Sequence, residues 1–157
     1  KTKVYGDADP SLTYQVSGLK NGDTAGSVLN GGGLVRVSGE NVGNYAIQQG
    51  GLGLVSGNYD LAYQGNNLII TKALLNVIAD AKTRVYGAAD PSWAYQVRGL
   101  KNGDSAATAL SGAGPVRVSG ENDGTYAIHY AGPGRVGGND YVTNLGHNLP
   151  ITNALLT

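Results

Sequence analysis

The sequence predicts a mostly-β, α+β protein built from two tandem modules, each a β-grasp-like sheet with one short helix; an immunoglobulin-like sandwich is the alternative. Three observations carry this expectation. The chain repeats itself: residues 1–76 align without a gap with residues 82–157, an offset of 81, and about 46 of the 76 positions are identical. Short segments alternate apolar and polar residues between turns rich in Gly and Asn, the period of half-buried strands. Finally, each copy carries one Asn-Gly-Asp turn ahead of a stretch suited to a helical turn or two.

The elements follow in order. Asp9-Pro10 and Asp90-Pro91 start turns, because Pro fixes φ and removes a ladder donor. Residues 12–16, Leu-Thr-Tyr-Gln-Val, read as a strand. Asp23 and Asp104 are read as helix N-caps, ahead of residues 24–29 and 105–110. Further strands are expected at 35–38, 45–48, 59–63 and 68–71. Residues 74–79, Leu-Leu-Asn-Val-Ile-Ala, contain neither Gly nor Pro and read as the opening strand of the second copy. The modules are therefore assigned to residues 1–72 and 73–157, with a stiff junction expected between them. In that register the first copy lacks its opening strand, and the chain reads as a slice of a longer array. The last four residues, Ala154-Leu155-Leu156-Thr157, begin by repeating Ala73-Leu74-Leu75. An unfilled edge in copy one would take such a strand from another chain, so head-to-tail fibre contacts are an expectation.

Composition narrows the function classes. Eleven basic and eleven acidic side chains cancel, and no basic stripe exists for phosphate binding, so nucleic acid is not an expected partner. No run of apolar residues is long enough for a spanning helix, so the chain is not expected to cross a membrane. Cys is absent, which removes disulfides and thiolate metal sites. Gly contributes 26 of 157 residues, yet 41% of the chain is apolar, enough to fold.

Motifs with chemistry are few. Residues 132–137, Gly-Pro-Gly-Arg-Val-Gly, match a dinucleotide-loop pattern, but a helix should follow and Gly-Asn-Asp-Tyr does instead. His129 and His147 have no counterparts in copy one, where Gln48 and Asn66 stand, and read as surface substitutions. Asp7, Asp9 and Asp23 are weak candidates for Ca²⁺, a cation that takes several oxygen ligands. Arg36 and Glu40, repeated as Arg117 and Glu121, read as a structural ion pair flanking a Ser-Gly turn. No nucleophile–base pair and no pair of converging carboxylates is apparent, so neither an enzyme nor a cofactor is expected. Tyr rings stack on sugars while their hydroxyls stay wet. Tyr59, Tyr63, Trp93, Tyr130 and Tyr141 fall where the copies differ and are the candidate ligand-binding residues.

The blocks Val4-Tyr5-Gly6-Asp7-Ala8-Asp9-Pro10, Ser17-Gly18-Leu19-Lys20-Asn21-Gly22-Asp23, Gly39-Glu40-Asn41-Val42-Gly43-Asn44-Tyr45-Ala46-Ile47 and Leu68-Ile69-Ile70-Thr71-Lys72-Ala73 occur in that order. Together they resemble the MBG ("mostly beta, glycine-rich") repeat and its YDG-type relatives, over essentially the whole chain. Ala88, Asp123 and Pro150 are local departures in copy two. The resemblance implies a stalk or spacer in a large bacterial surface or secreted adhesin of filamentous-haemagglutinin type. It implies an extracellular or cell-surface location and neighbouring repeats or fibre subunits as partners. A glycan-binding module, meeting glycans or host receptors through the divergent Tyr residues, is the alternative. No catalytic residue comes with the family.

Overall fold

The computed structural model describes residues 1–112, 114–131 and 138–157. The chain forms two compact units, Lys1–Thr71 and Lys72–Thr157. Unit 1 contains β1 (Thr2–Val4), α1 (Ala25–Val28), β2 (Val35–Arg36), β3 (Gly43–Gln48) and β4 (Asn66–Thr71). They make one mixed sheet in the order β1-β4-β3-β2, with β1 parallel to β4 and the other pairs antiparallel. Alternation explains the core: Leu68 and Ile70 of β4 are buried while Asn67, Ile69 and Thr71 face outward.

Unit 2 contains β5 (Ala73–Ala79), β6 (Arg84–Val85), β7 (Tyr95–Arg98), α2 (Ala106–Ala109), β8 (Pro115–Arg117), β9 (Gly124–Tyr130), β10 (Asp140–Leu145) and β11 (His147–Thr152). The strands β6-β11-β9-β8 repeat the sheet of unit 1, and a second sheet, β10-β5-β7, adjoins them in sequence. Asp140 lies against Ala73 and Ile151 against Arg84, so both parallel pairs keep a separation of 67 residues. The pairing of Thr2 with Ile69 in unit 1 has the same separation. In both units a strand ahead of the helix, β1 or β6, thus runs parallel to the unit's last strand. Both units are mostly β.

β5 is the spine of unit 2. Ala73, Leu75, Val77 and Ala79 are buried at alternate positions, as period two demands of a strand whose one face meets the core. Leu75 and Val77 pack with Ala109, Leu110 and Tyr130; Ala79 packs with Ile128, Leu149 and Ile151. One strand thus joins two apolar clusters.

Several expectations change. Residues 12–16 and 59–63 of unit 1 are not strands, although their counterparts Tyr95–Arg98 and Asp140–Leu145 are. The difference is the partner, since β7 and β10 both pair with β5. The N-caps are Thr24 and Ser105 rather than Asp23 and Asp104. Each accepts from the backbone N–H three residues on, and Ser27 or Thr108 returns the bond to the cap N–H. Pro150 stays in β11, but it stands where Ile69 donates to the carbonyl of Lys1 in unit 1. Lacking an N–H, it cannot repeat that bond, and β6 is one residue shorter than β1.

Candidate functional site

Two features stand out among the described residues: a clamp of four charges in each unit, and a groove in unit 1. In unit 1, Lys3 on β1 donates from Nζ to Asp9 Oδ1 at 2.7 Å and to Glu40 Oε2 at 2.5 Å. Arg36 on β2 donates from Nε to Asp9 Oδ2 at 2.5 Å and from Nη2 to Glu40 Oε1 at 2.5 Å. Its Nη1 closes the turn by donating to the carbonyls of Val37 (2.9 Å) and Gly39 (2.7 Å). The guanidinium also lies 5.4 Å over the Tyr45 ring. Lys3 is buried, Arg36 is partly buried and the carboxylates reach solvent, which limits the desolvation cost of the pairs.

Unit 2 repeats the clamp with one exchange, Arg84 for Lys3. Arg84 meets Asp90 at 3.0 Å and also pairs with Glu121, and it donates to the carbonyl of Ala88. Arg117 holds Asp90 at 2.7 Å and Glu121 at 2.6 Å, and stacks over Tyr126. The turn under each ring requires Gly. Gly39 and Gly120 have φ of +142° and +149°, and a Cβ there would come within 2.2 and 2.0 Å of the Tyr45 and Tyr126 rings.

The clamp sets the acid–base behaviour of the region. Hydrogen bonds from Arg36 and then Lys3 hold Asp9 down at about 2, and Lys3 then Arg36 hold Glu40 below its ordinary range. Both carboxyls are depressed on folding, so their contribution is present above the ordinary carboxylate range and is lost as pH falls through the folded values. Unit 1 should therefore lose stability between about pH 4 and pH 2. Denaturant titrations across that range check this, and Asp9→Asn should flatten the slope. Lys3 is raised, chiefly by Asp9, so its share persists below its ordinary value and fades only at more alkaline pH.

The groove encloses about 710 Å³. It is lined by residues 13–17 and 60–66 together with Leu29, Leu34, Ile47 and Leu52. Tyr63 lines it, with its hydroxyl donating to the carbonyl of Ile47 at 2.8 Å.

The other sequence candidates disperse. Asp9 belongs to the clamp, and Asp23 accepts a 2.6 Å bond from the Tyr59 hydroxyl, which raises that phenol's pKa. The Asp7 backbone N–H donates to the carbonyl of Val4 in a turn. Among the described residues no group of three His, Asp or Glu side chains is placed to hold a metal. Tyr130 is buried, donates to the carbonyl of Ser111 at 2.5 Å and packs 5.6 Å from the Tyr95 ring. Trp93 is half-buried against the Ala79 cluster. Tyr141 alone of the five is exposed, so the structure gathers no aromatic cluster from them. His129 and His147 are exposed strand residues. The glycine-rich motif at 132–137 lies outside the described residues. Sequence reasoning found Arg36 and Glu40 but missed Lys3 and Arg84; the signal was a basic residue kept at that position in both copies.

The family model of the MBG domain (YGX type) matches the chain twice, over residues 1–69 and 75–143. No curated protein and no solved structure matches it. No helix among the described residues is long and apolar enough to cross a membrane.

Proposed function

The chain belongs to the MBG domain family of YGX type, and from that premise we propose that it is a structural spacer, a stretch of stalk in a bacterial surface adhesin or fibre. The observation that carries this reading is the duplicated clamp. Four charged positions repeated at the offset of 81, Lys3/Arg84, Asp9/Asp90, Arg36/Arg117 and Glu40/Glu121, are consumed in tying β1 or β6 to the following turns, with two cations balanced by two carboxylates. Such a site has no surplus charge to offer a ligand and no group poised to react. Repetition of the same internal fastening is what a load-bearing array needs, because each repeat must hold by itself against pulling at its ends. The location is extracellular, the working partners are neighbouring repeats, and the chain performs no reaction of its own.

A glycan array tests this directly. The expected result is silence across the array for the whole chain. Saturable binding that Tyr141→Ala abolishes would replace the spacer reading with a lectin-like one, since Tyr141 is the one exposed ring among the five divergent aromatic candidates.

A further inference from the structure

Two segments of unit 2 run side by side. Residues 73–78 pair in parallel with residues 140–145, from Ala73 against Asp140 to Ile78 against Leu145. After a break the pairing resumes, again parallel, with Arg84 against Ile151 and Val85 against Thr152. The separation of 67 residues is the same on both sides of the break, so neither segment gains a residue on the other. The chain enters unit 2 through the first segment and passes its last strand in the second. Ala73 therefore marks one end of a parallel ribbon and Thr152 the other, up to about 40 Å apart at the ordinary rise of a strand. We propose that this ribbon is a shear lock: tension applied across unit 2 runs along it and loads its backbone bonds together instead of one after another. The use of such a lock, holding a stalk under tension, rests on the spacer reading; its mechanics do not.

The sense of the strands makes the pull a shear. Tension draws residues 73–85 toward their N-terminal end and residues 140–152 toward their C-terminal end, so parallel neighbours are driven lengthwise past one another. Both loaded strands are interior ones, β5 between β10 and β7, β11 between β6 and β9. Neither can be stripped from an open edge. A slip of one residue would also turn Leu75 and Val77 out of their apolar cluster. The ladder is closed at each end, by the Ala73 N–H on the Asn139 carbonyl at 2.9 Å and by the Tyr86 N–H on the Thr152 carbonyl at 2.7 Å. Side chains add two ties. The Thr143 hydroxyl donates to Asn76 Oδ1 at 2.6 Å across the ribbon. Arg84, itself a ribbon residue, is held by Asp90 and Glu121, so β6 cannot slide without breaking the clamp. The chain between the two segments, β7, α2, β8 and β9 included, lies outside this load path.

The test changes only the direction of pull. The chain has no Cys, so thiol handles can be introduced in pairs. Lys72→Cys with Asn153→Cys in the full chain pulls along the ribbon. Lys72→Cys with Gly138→Cys pulls on the same ribbon from one end, pair by pair. Asn153 and Gly138 are exposed, and a Cβ at Gly138 meets nothing within 4 Å. Both pulls break the same folded unit, so its stability is common to the two and the geometry alone differs. Single-molecule force measurements at one pulling speed should give a rupture force along the ribbon at least about twofold above the force that peels it, because forced unfolding reads the barrier that the loaded bonds set. Rupture along the ribbon should be a single step of about 240 Å, the extended length of residues 72–153 less that of the ribbon. Equal forces in the two directions overturn the proposal. So does lengthening below the main rupture force, since the chain between the two segments would then be carrying load. Saturable glycan binding together with the twofold difference would end the spacer reading and leave the lock; silence on the array together with equal forces would do the reverse.

Discussion

Leu75→Ala should destabilise unit 2 by about 3 kcal/mol, within the range for a fully buried Leu cut back to Ala. Leu75 is at 0% exposure and packs in one cluster with Val77, Ala109, Leu110 and Tyr130. The loss should spread beyond its own contacts. β7 and β10 pair through β5, so loosening that strand should carry Tyr95–Arg98 and Asp140–Leu145 toward the irregular state of residues 13–17 and 60–64 in unit 1. Leu74→Ala, one residue away on the outward face, should change stability by no more than about 0.5 kcal/mol. Denaturant unfolding followed by amide exchange reads each unit separately. Equal effects from the two variants, or a loss felt in unit 1, would refute the role given to β5.

That contrast also shows which parts of the fold were legible. The period-two patterns at 12–16 and 59–63 were sound as strand potential, but a strand is a relation between two segments, and pattern alone says nothing of the partner. Residues 74–79 were read correctly because a long apolar alternation without Gly or Pro leaves few other conformations. Asp23 is the stronger cap by residue type, but the reciprocal bond from Ser27 needs only hydroxyls at both positions, which Thr24 supplies. Sequence alone marks Tyr130 as a candidate ligand-binding residue because it differs from its counterpart Gln49. Divergence between copies marks a change of surroundings as readily as an exposed site, and Tyr130 sits under β5. The Arg36–Glu40 pair is visible because four residues separate them; Lys3 joins Glu40 from 37 positions away, a proximity that the β1-β4-β3 strand pairing creates.

Arg36→Lys should be costly, whereas Lys3→Arg should be nearly neutral. The two copies suggest the asymmetry, for position 3 is Lys in one and Arg84 in the other, while Arg36 stays Arg as Arg117. Geometry gives the reason. Lys3 makes two point contacts, to Asp9 and Glu40, and Arg84 reaches the equivalent carboxylates with a fork. Arg36 serves five acceptors: both oxygens of Asp9, one of Glu40, and the carbonyls of Val37 and Gly39. An ammonium has three donors on a single nitrogen and cannot span carbonyls and carboxylates at once, nor can it lie flat over Tyr45. The half-exposed carboxylates would recover water, but the two turn carbonyls would lose their charged donor. Arg36→Lys should therefore cost unit 1 about 2 kcal/mol, and Arg36→Ala about 3 kcal/mol with the acid-sensitive slope reduced as well. Urea unfolding at pH 7 measures both. If Arg36→Lys proved as mild as Lys3→Arg, the clamp would be a matter of net charge alone, and the guanidinium fork would have no part in holding the turn.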